Sequence, residues 1–379
     1  MKKKKDYMGF LSSLFAIIVG LLIGFVILLA SNPSQAVEGF WTILSGPVTH
    51  GLKGIGQVFY FATPIILTGL SVGFAFKTGL FNIGASGQFI IGGFAAVVVG
   101  IKCEFLGSAQ WIVALLAAIL AGMLWGAIPG IFKAYFNVNE VIACIMTNYI
   151  GMYLVNYLVS TNTDLYDKIR NYSKDVADTA NIPGMGLDKL FEGSSINGGF
   201  FISLLAVVVI YIVLQKTTFG YELKAAGFNK DASKYAGMNE KRNVILSMAI
   251  AGGLAALGGA LLYLAGSGKH IEIVDALADE GFTGISVALL GLSNPIGVLL
   301  AGLFIAYITA GGFYLQLLDY PTEVIDIIIA VIIYFSAFSL FIRGFILQRQ
   351  KKKEEKAGDS GKGILPGNTA SEKKEGGKK

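Results

Sequence analysis

"FLGSAQWIVALLAAILAGMLWGAIPGIF", residues 105–132, runs for 28 positions without a charged side chain. At about 1.5 Å per residue it makes an α-helix of roughly 42 Å, longer than the ~30 Å hydrocarbon core of a bilayer. Segments 7–37, 54–76, 78–101, 141–163, 193–215 and 243–268 are equally free of Asp, Glu, Lys and Arg. Segment 281–318 stays uncharged for 38 residues, with "LSNP" (292–295) near its middle, and reads as two short spans hinged at Pro295. Segment 323–342 supplies one more, which makes ten membrane helices.

Composition agrees. The 379 residues are 54% hydrophobic and only 15% charged, with a mean hydropathy of +0.65. A soluble domain carries about 25% charged residues, and this chain has too little polar sequence to cover a soluble core of such size. A β-barrel would alternate at every second residue, which these runs do not. In lipid each backbone N–H and C=O must be satisfied within its own segment, so the expected fold is all-α and polytopic.

Lysine and arginine set the orientation. The chain opens "MKKKKDY", so residues 1–8 are expected in the cytoplasm and 9–345 in the transmembrane domain. Segment 216–242, with six basic and three acidic residues, falls on the same side, as does the tail from Arg343, with eleven basic and five acidic. Segment 161–197, with four basic and six acidic residues, falls outside. Both termini are therefore expected to be cytoplasmic. "LLASNPSQA" resembles a signal-peptide cleavage site, but the apolar stretch exceeds the usual 7–15 residues, so a retained anchor is expected. The Lys/Glu/Gly-rich tail, 346–379, reads as disordered and solvated.

Chemistry of its own is not indicated. Only His50 and His270 occur, without ligand spacing, and no GxxxxGK[ST] is present to cradle nucleotide phosphates. No nucleophile–base pair lies in the spans, which argues against a membrane enzyme. A transport protein and a passive scaffold remain. Polar groups inside the spans favour transport.

"FKTGLFNIGASGQ" (76–88) places Asn82, Ser86 and Gln88 early in a span, among Gly79, Gly84 and Gly87, which disfavour helix by about 1 kcal/mol each relative to alanine. Non-helical backbone at membrane depth is tolerated where protein covers it or where it lines a wet cavity. Two readings stand: a polar wall of a pathway, or close helix packing with amides bonding between helices. In "NVNEVIACIMTNYI" (137–150) Asn139 suits an N-cap and Glu140 the positive end of the helix dipole. Asn148 lies about two turns inside and must bond a neighbouring helix or meet a polar substrate. Asn82, Gln88, Asn148 and Glu140 are the candidate pathway residues. In the segment 216–243, Asp231 can cap a short helix over 232–236 with Gly237 as its stop. Asp231, Ala232, Ser233, Lys234, Tyr235, Ala236 and Gly237 form the candidate docking helix, with an inert interfacial helix as the alternative.

The segment "GYELKAAGFNKDASKYAGMNEKRNVILSMAIAGGLAALGGAL" (220–261) resembles the cytoplasmic loop and following helix of permease subunits of ribose- and nucleoside-type ABC importers. "FKTGLFNIGASGQ", "NVNEVIACIMTNYI" and "GFTGISVALLGLSNPIGVLLAGL" (281–303) are similar to the nucleoside branch, and the likeness covers about residues 10–345. It departs from the EAA motif of other importers, because Glu222 is followed by Leu223, Lys224, Ala225 and Ala226. The resemblance implies a multi-pass protein of the bacterial plasma membrane that forms half of a pathway. Its implied partners are a second related permease, a cytoplasmic ABC ATPase that uses ATP and Mg, an extracytoplasmic substrate-binding lipoprotein and membrane lipid. No cofactor bound by this chain and no nucleic-acid partner are implied. The implied coupling helix sits in the ATPase, and the implied substrate is a nucleoside, with ribose- or galactose-type sugars as the alternative.

Overall fold

Asparagine opens four helices of this molecule. The side-chain oxygens of Asn139, Asn229, Asn239 and Asn294 accept from the backbone N–H groups of Val141, Ala232, Arg242 and Ile296 at 2.8–3.0 Å. Each meets one of the amides that a helix start leaves without a partner. The computed structural model describes residues 2–318 and, from there to 335, only separate positions. Most of the expected last span, 323–342, and the expected tail, 346–379, lie outside the described residues.

The helices are α1 (Lys2–Ser31), α2 (Ala36–Thr49), α3 (Gly51–Lys77), α4 (Ala85–Lys102), α5 (Gln110–Phe136) and α6 (Glu140–Thr161). A two-residue hairpin, β1 (Tyr166–Asp167) and β2 (Tyr172–Ser173), and a single turn, α7 (Leu187–Leu190), follow. Then come α8 (Gly199–Lys216), α9 (Thr218–Phe228), α10 (Lys230–Tyr235), α11 (Glu240–Tyr263), α12 (Asp279–Leu290) and α13 (Pro295–Phe313). Seven of these, α3, α4, α5, α6, α8, α11 and α13, are long and apolar enough to cross a membrane, and Ile17–Ser31 of α1 is a shorter apolar piece. Around Pro295 the structure has a pair of helices, α12 and α13, of which α13 is long and apolar enough to span and α12, with 12 residues, is not. They meet at a turn in which Leu292 and Ser293 take positive φ, and Pro295 stands at the first position of α13, where its missing N–H is harmless.

Helix α3 is enclosed by its neighbours, and α11 lies against α3, α4 and α5. Glycine makes that approach possible. A Cβ on Gly92 or Gly122 would overlap Ala256, and one on Gly259 would overlap the Phe89 carbonyl. Small residues let backbones meet where lipid offers no hydrophobic drive between helices. The outward faces of α5, α6 and α8 are apolar and bare, with Leu120 61%, Leu124 73% and Leu205 61% exposed. Such surfaces require lipid or another apolar partner.

The segment 161–197, expected only as an acidic loop, is ordered against 264–278. Ser173 donates its N–H to Ile271 O at 2.9 Å and accepts from Ile271 N at 3.0 Å. His270 stacks on Tyr172 with ring centroids 4.5 Å apart.

The segment 216–243 corrects the expectation of a single short helix capped by Asp231. It holds two helices, α9 and α10, and α10 starts at Lys230 with Asn229 as its cap. Asn and Asp cap equally well, and the earlier residue has the extended backbone (φ −155°, ψ 106°) that lets its side chain reach Ala232 N. Asp231 therefore falls in the first turn. Gly237 does stop the helix, at φ +79°, a conformation that glycine adopts without penalty.

The charge asymmetry can be read with single cysteines in a cysteine-free chain. Ile169 is 97% exposed in the acidic segment and Tyr235 94% exposed in the basic one. An impermeant maleimide is expected to label Ile169→Cys in intact cells, and Tyr235→Cys only after the membrane is dissolved. The opposite pattern would invert the topology.

Candidate functional site

Between α3 and α4 the chain is not helical over 79–82 and turns at 83–84. Thr78, Gly79 and Leu80 still donate to the carbonyls of Ala75, Phe76 and Ala75, which closes the end of α3. Beyond that, side chains take over. Asn82 and Gln88 pair amide to amide, at 2.8 Å and 3.1 Å, and the Asn82 Nδ2 also donates to Ser71 Oγ at 3.1 Å. Asn148, from α6, donates to Ile83 O at 2.9 Å and accepts from Gly87 N at 2.8 Å. All three amides are at most 2% exposed. Three helices, α3, α4 and α6, are thereby tied together through the break. Glu140 stands apart, paired with Lys133 at 2.9 Å.

The start of α4 meets the start of α12. Ser86 Oγ donates to Ala278 O at 2.7 Å, and a Cβ on Gly281 would overlap the Ser86 backbone. Two helices thus begin face to face, an arrangement in which membrane transporters place substrate groups.

Beside this junction lies a cleft of about 480 Å³, within the ~300–1,000 Å³ of small-molecule sites. Its lining includes the aromatic rings of Tyr60 and Phe61 on α3 and of Phe282 on α12, and the polar side chains of Glu280, Thr283 and Ser286 on α12. Lys269 and Glu280 also border a neighbouring cavity of about 210 Å³. None of Asn82, Gln88, Asn148 or Glu140 lines either space. The sequence reading missed the cleft residues because Tyr60, Thr283 and Ser286 belong to ordinary apolar spans. Only the acidic "DALADEG" at 275–281 marked the place.

At the far end of α12 from this junction, α9 and α10 rest on the bundle. Gly227 lies on Gly79: a Cβ at Gly227 would come within 2.9 Å of Lys77 O, Thr78 C and Gly79 N. Glu222 of α9 accepts from Arg242 and Asn243 of α11, both at 3.2 Å. Thr78 and Ser247 share a hydroxyl contact of 2.7 Å, and Lys77 donates to Leu292 O at 3.2 Å. Helix α9 thus rests directly on the start of the break. On α10, Ser233 points inward, bonding Asn229 O at 2.9 Å, while Ala232, Lys234 and Tyr235 face out. Phe228 (92% exposed) and Tyr235 leave an aromatic pair uncovered by the described chain.

A polytopic helical bundle with a cleft at a helix break and an exposed platform at one end is the build of a membrane transport subunit. Residues 54–337 match the family described as "Branched-chain amino acid transport system / permease component", and the chain belongs to it. It is 40% identical to the guanosine ABC transporter permease protein NupP of Bacillus subtilis, over 90% of this chain and 96% of that one. It is 34% identical to the nucleoside ABC transporter permease protein NupB of Lactococcus lactis, over 91% and 97%. It is 30% identical to the glucose ABC transporter permease protein TsgB13 of Haloferax volcanii, over 89% and 90%. Weaker likenesses, at 25% and 26%, include the permeases NupC and NupQ of the same two bacteria. No solved structure matches. The chain is a transport component, not an enzyme, and a multi-pass integral protein of the bacterial plasma membrane.

Because each amide at the break bonds within the chain, Asn148→Leu would leave Ile83 O and Gly87 N unpaired, at about 1–3 kcal/mol each. The purified protein is expected to melt at a lower temperature than the parent, read by thermal unfolding in detergent. An unchanged melting temperature would contradict the bracing role.

Proposed function

We propose that this chain is the permease subunit of an ATP-driven ABC importer and forms one half of the path by which nucleosides cross the membrane. The cleft carries the reading: aromatic rings in its lining suit a flat base, and a carboxylate with two hydroxyls suits a sugar. The guanosine and nucleoside permeases among its relatives support the substrate class. The glucose permease among them favours a second reading, a monosaccharide, which needs the polar groups only.

In this reading Asn82, Gln88 and Asn148 stand behind the pathway wall and hold the break that shapes it, while Glu140 and Lys133 fasten the start of α6. A second, related permease completes the cleft, as the paired names NupP and NupQ, and NupB and NupC, suggest for those systems. An extracytoplasmic binding lipoprotein delivers the substrate. Helix α10, residues 230–235 and the Ala236–Gly237 stop, docks into a cytoplasmic ATPase, which binds ATP and Mg. Tyr235 and Phe228 supply rigid apolar anchors, and Ala232 lets the partner approach closely. Closure of the ATPase then pushes α9 against Gly79 and moves the break, opening the cleft to alternate sides.

Reconstituted with its partners in proteoliposomes, the complex is expected to accumulate tritiated ribonucleoside in an ATP-dependent manner; ATP-dependent glucose uptake without nucleoside uptake would select the second reading. Ala232→Trp is expected to lower substrate-stimulated ATP hydrolysis about tenfold or more, since an overfilled contact costs roughly 1–3 kcal/mol. Normal stimulation with full co-purification of the ATPase would remove α10 from the joint.

A further inference from the structure

Serine and threonine inside a membrane helix usually turn their hydroxyl back onto a carbonyl of the preceding turn. Thr63, Thr68, Ser203 and Thr309 do so here, on Phe59, Pro64, Phe200 and Ile305, at 2.8–3.1 Å. Thr283 and Ser286 do not. Among the described residues neither side chain bonds to the protein, although Ser286 is only 4% exposed, and both line the 480 Å³ cleft. Glu280 lines the same cleft and is partly buried; its carboxylate meets its own backbone N–H and makes no ion pair within 4 Å among the described residues. Positions 280, 283 and 286 repeat every three residues and so share one face of α12.

The stripe is held firmly. Ser86 accepts no freedom at this junction: its hydroxyl fixes Ala278 O, two residues before Glu280, and its backbone packs against Gly281, one residue after. A carboxylate placed by neighbours on both sides is preorganised, so little ordering is required when a ligand arrives. Its two oxygens accept from two adjacent donors, and hydroxyls that can donate or accept continue the pattern along the helix. Lys269 beside Glu280 moderates the negative field of Asp279, Glu280 and Asp326, and a neutral polyhydroxylated ligand fits that balance better than an anion.

We infer that Glu280 binds the vicinal 2′- and 3′-hydroxyls of a ribose, with Thr283 and Ser286 extending the contact, while the base lies toward Tyr60 and Phe61. This rests on the nucleoside reading above and adds to it that the permease itself tells ribose from deoxyribose. The same pair of adjacent donors occurs on the edge of a guanine base, so the test must separate sugar from base.

The test uses the complete importer in proteoliposomes, with one binding protein throughout, so that any altered preference originates in the permease. Uptake of guanosine, uridine and their 2′-deoxy forms is compared for the parent, Glu280→Gln and Ser286→Ala. Glu280→Gln is expected to lower uptake of both ribonucleosides about tenfold or more and to change the deoxy forms by less than about twofold, which collapses the ribo-to-deoxy ratio. Ser286→Ala is expected to shift the ratio in the same direction by a smaller factor. Ribo and deoxy uptake falling together, a loss confined to guanosine, or unchanged uptake in both variants would each overturn the assignment. If Glu280→Gln fails to assemble, an unchanged ratio in Ser286→Ala overturns it. A parent complex that moves no nucleoside would overturn the underlying substrate reading instead, and is recognised before any variant is made.

Discussion

A peptide group inside a membrane has no water to turn to, and the rest of this structure depends on how the chain meets that demand at the break before α4. Helix α3 stops at Lys77 and α4 starts at Ala85, so the intervening backbone has no ladder of its own. Asn148 supplies both an acceptor and a donor from another helix, and Asn82 with Gln88 closes a small amide ring against Ser71. An unmet group in that place costs about 1–3 kcal/mol, so Asn148 is a structural requirement of the irregular backbone, and the Asn82–Gln88–Ser71 bonds keep the neighbouring buried side chains satisfied.

The break then sets the relations around it. It frees the start of α4 to face the start of α12, with Ser86 joining them, and this junction holds the polar stripe of α12 against the cleft. Its other end, at Gly79, lies under Gly227 of α9. One irregular segment thus touches both the cleft side and the platform side of the molecule. A regular helix through 78–84 would separate them, because it transmits motion along its axis but offers no place to bend.

Close glycine packing supplies the rigid counterpart. Helix α11 is pressed onto α4 and α5 through Gly92, Gly122, Gly126, Gly252 and Gly259, where an added Cβ would overlap backbone or Cβ atoms of the opposite helix. Dispersion and backbone proximity hold these helices, since lipid removes the usual hydrophobic drive. The outward faces of α5, α6 and α8 remain apolar and available to lipid.

Seven of the ten expected spans, the helix pair around Pro295, the Asn139 cap and the stop at Gly237 were legible in the sequence, because charge-free length, proline and capping residues act locally. The family was legible as well, in the four motifs from 76 to 303. Which groups meet which was not: Asn82 and Gln88 are six residues apart, but Asn148 reaches Ile83 O and Gly87 N only through the packing of α6 on α4. The sequence marked Asp231 as a cap, yet the backbone at Asn229 decided the matter. Tyr60, Thr283 and Ser286 carry no local signal that sets them apart from buried polar residues elsewhere in the spans, and only the acidic stretch around Glu280 marks the place. Only tertiary structure brings the aromatic face of α3 and the unpaired hydroxyls of α12 to one cleft, because a cavity is a property of surfaces that fail to meet, and no single segment encodes it.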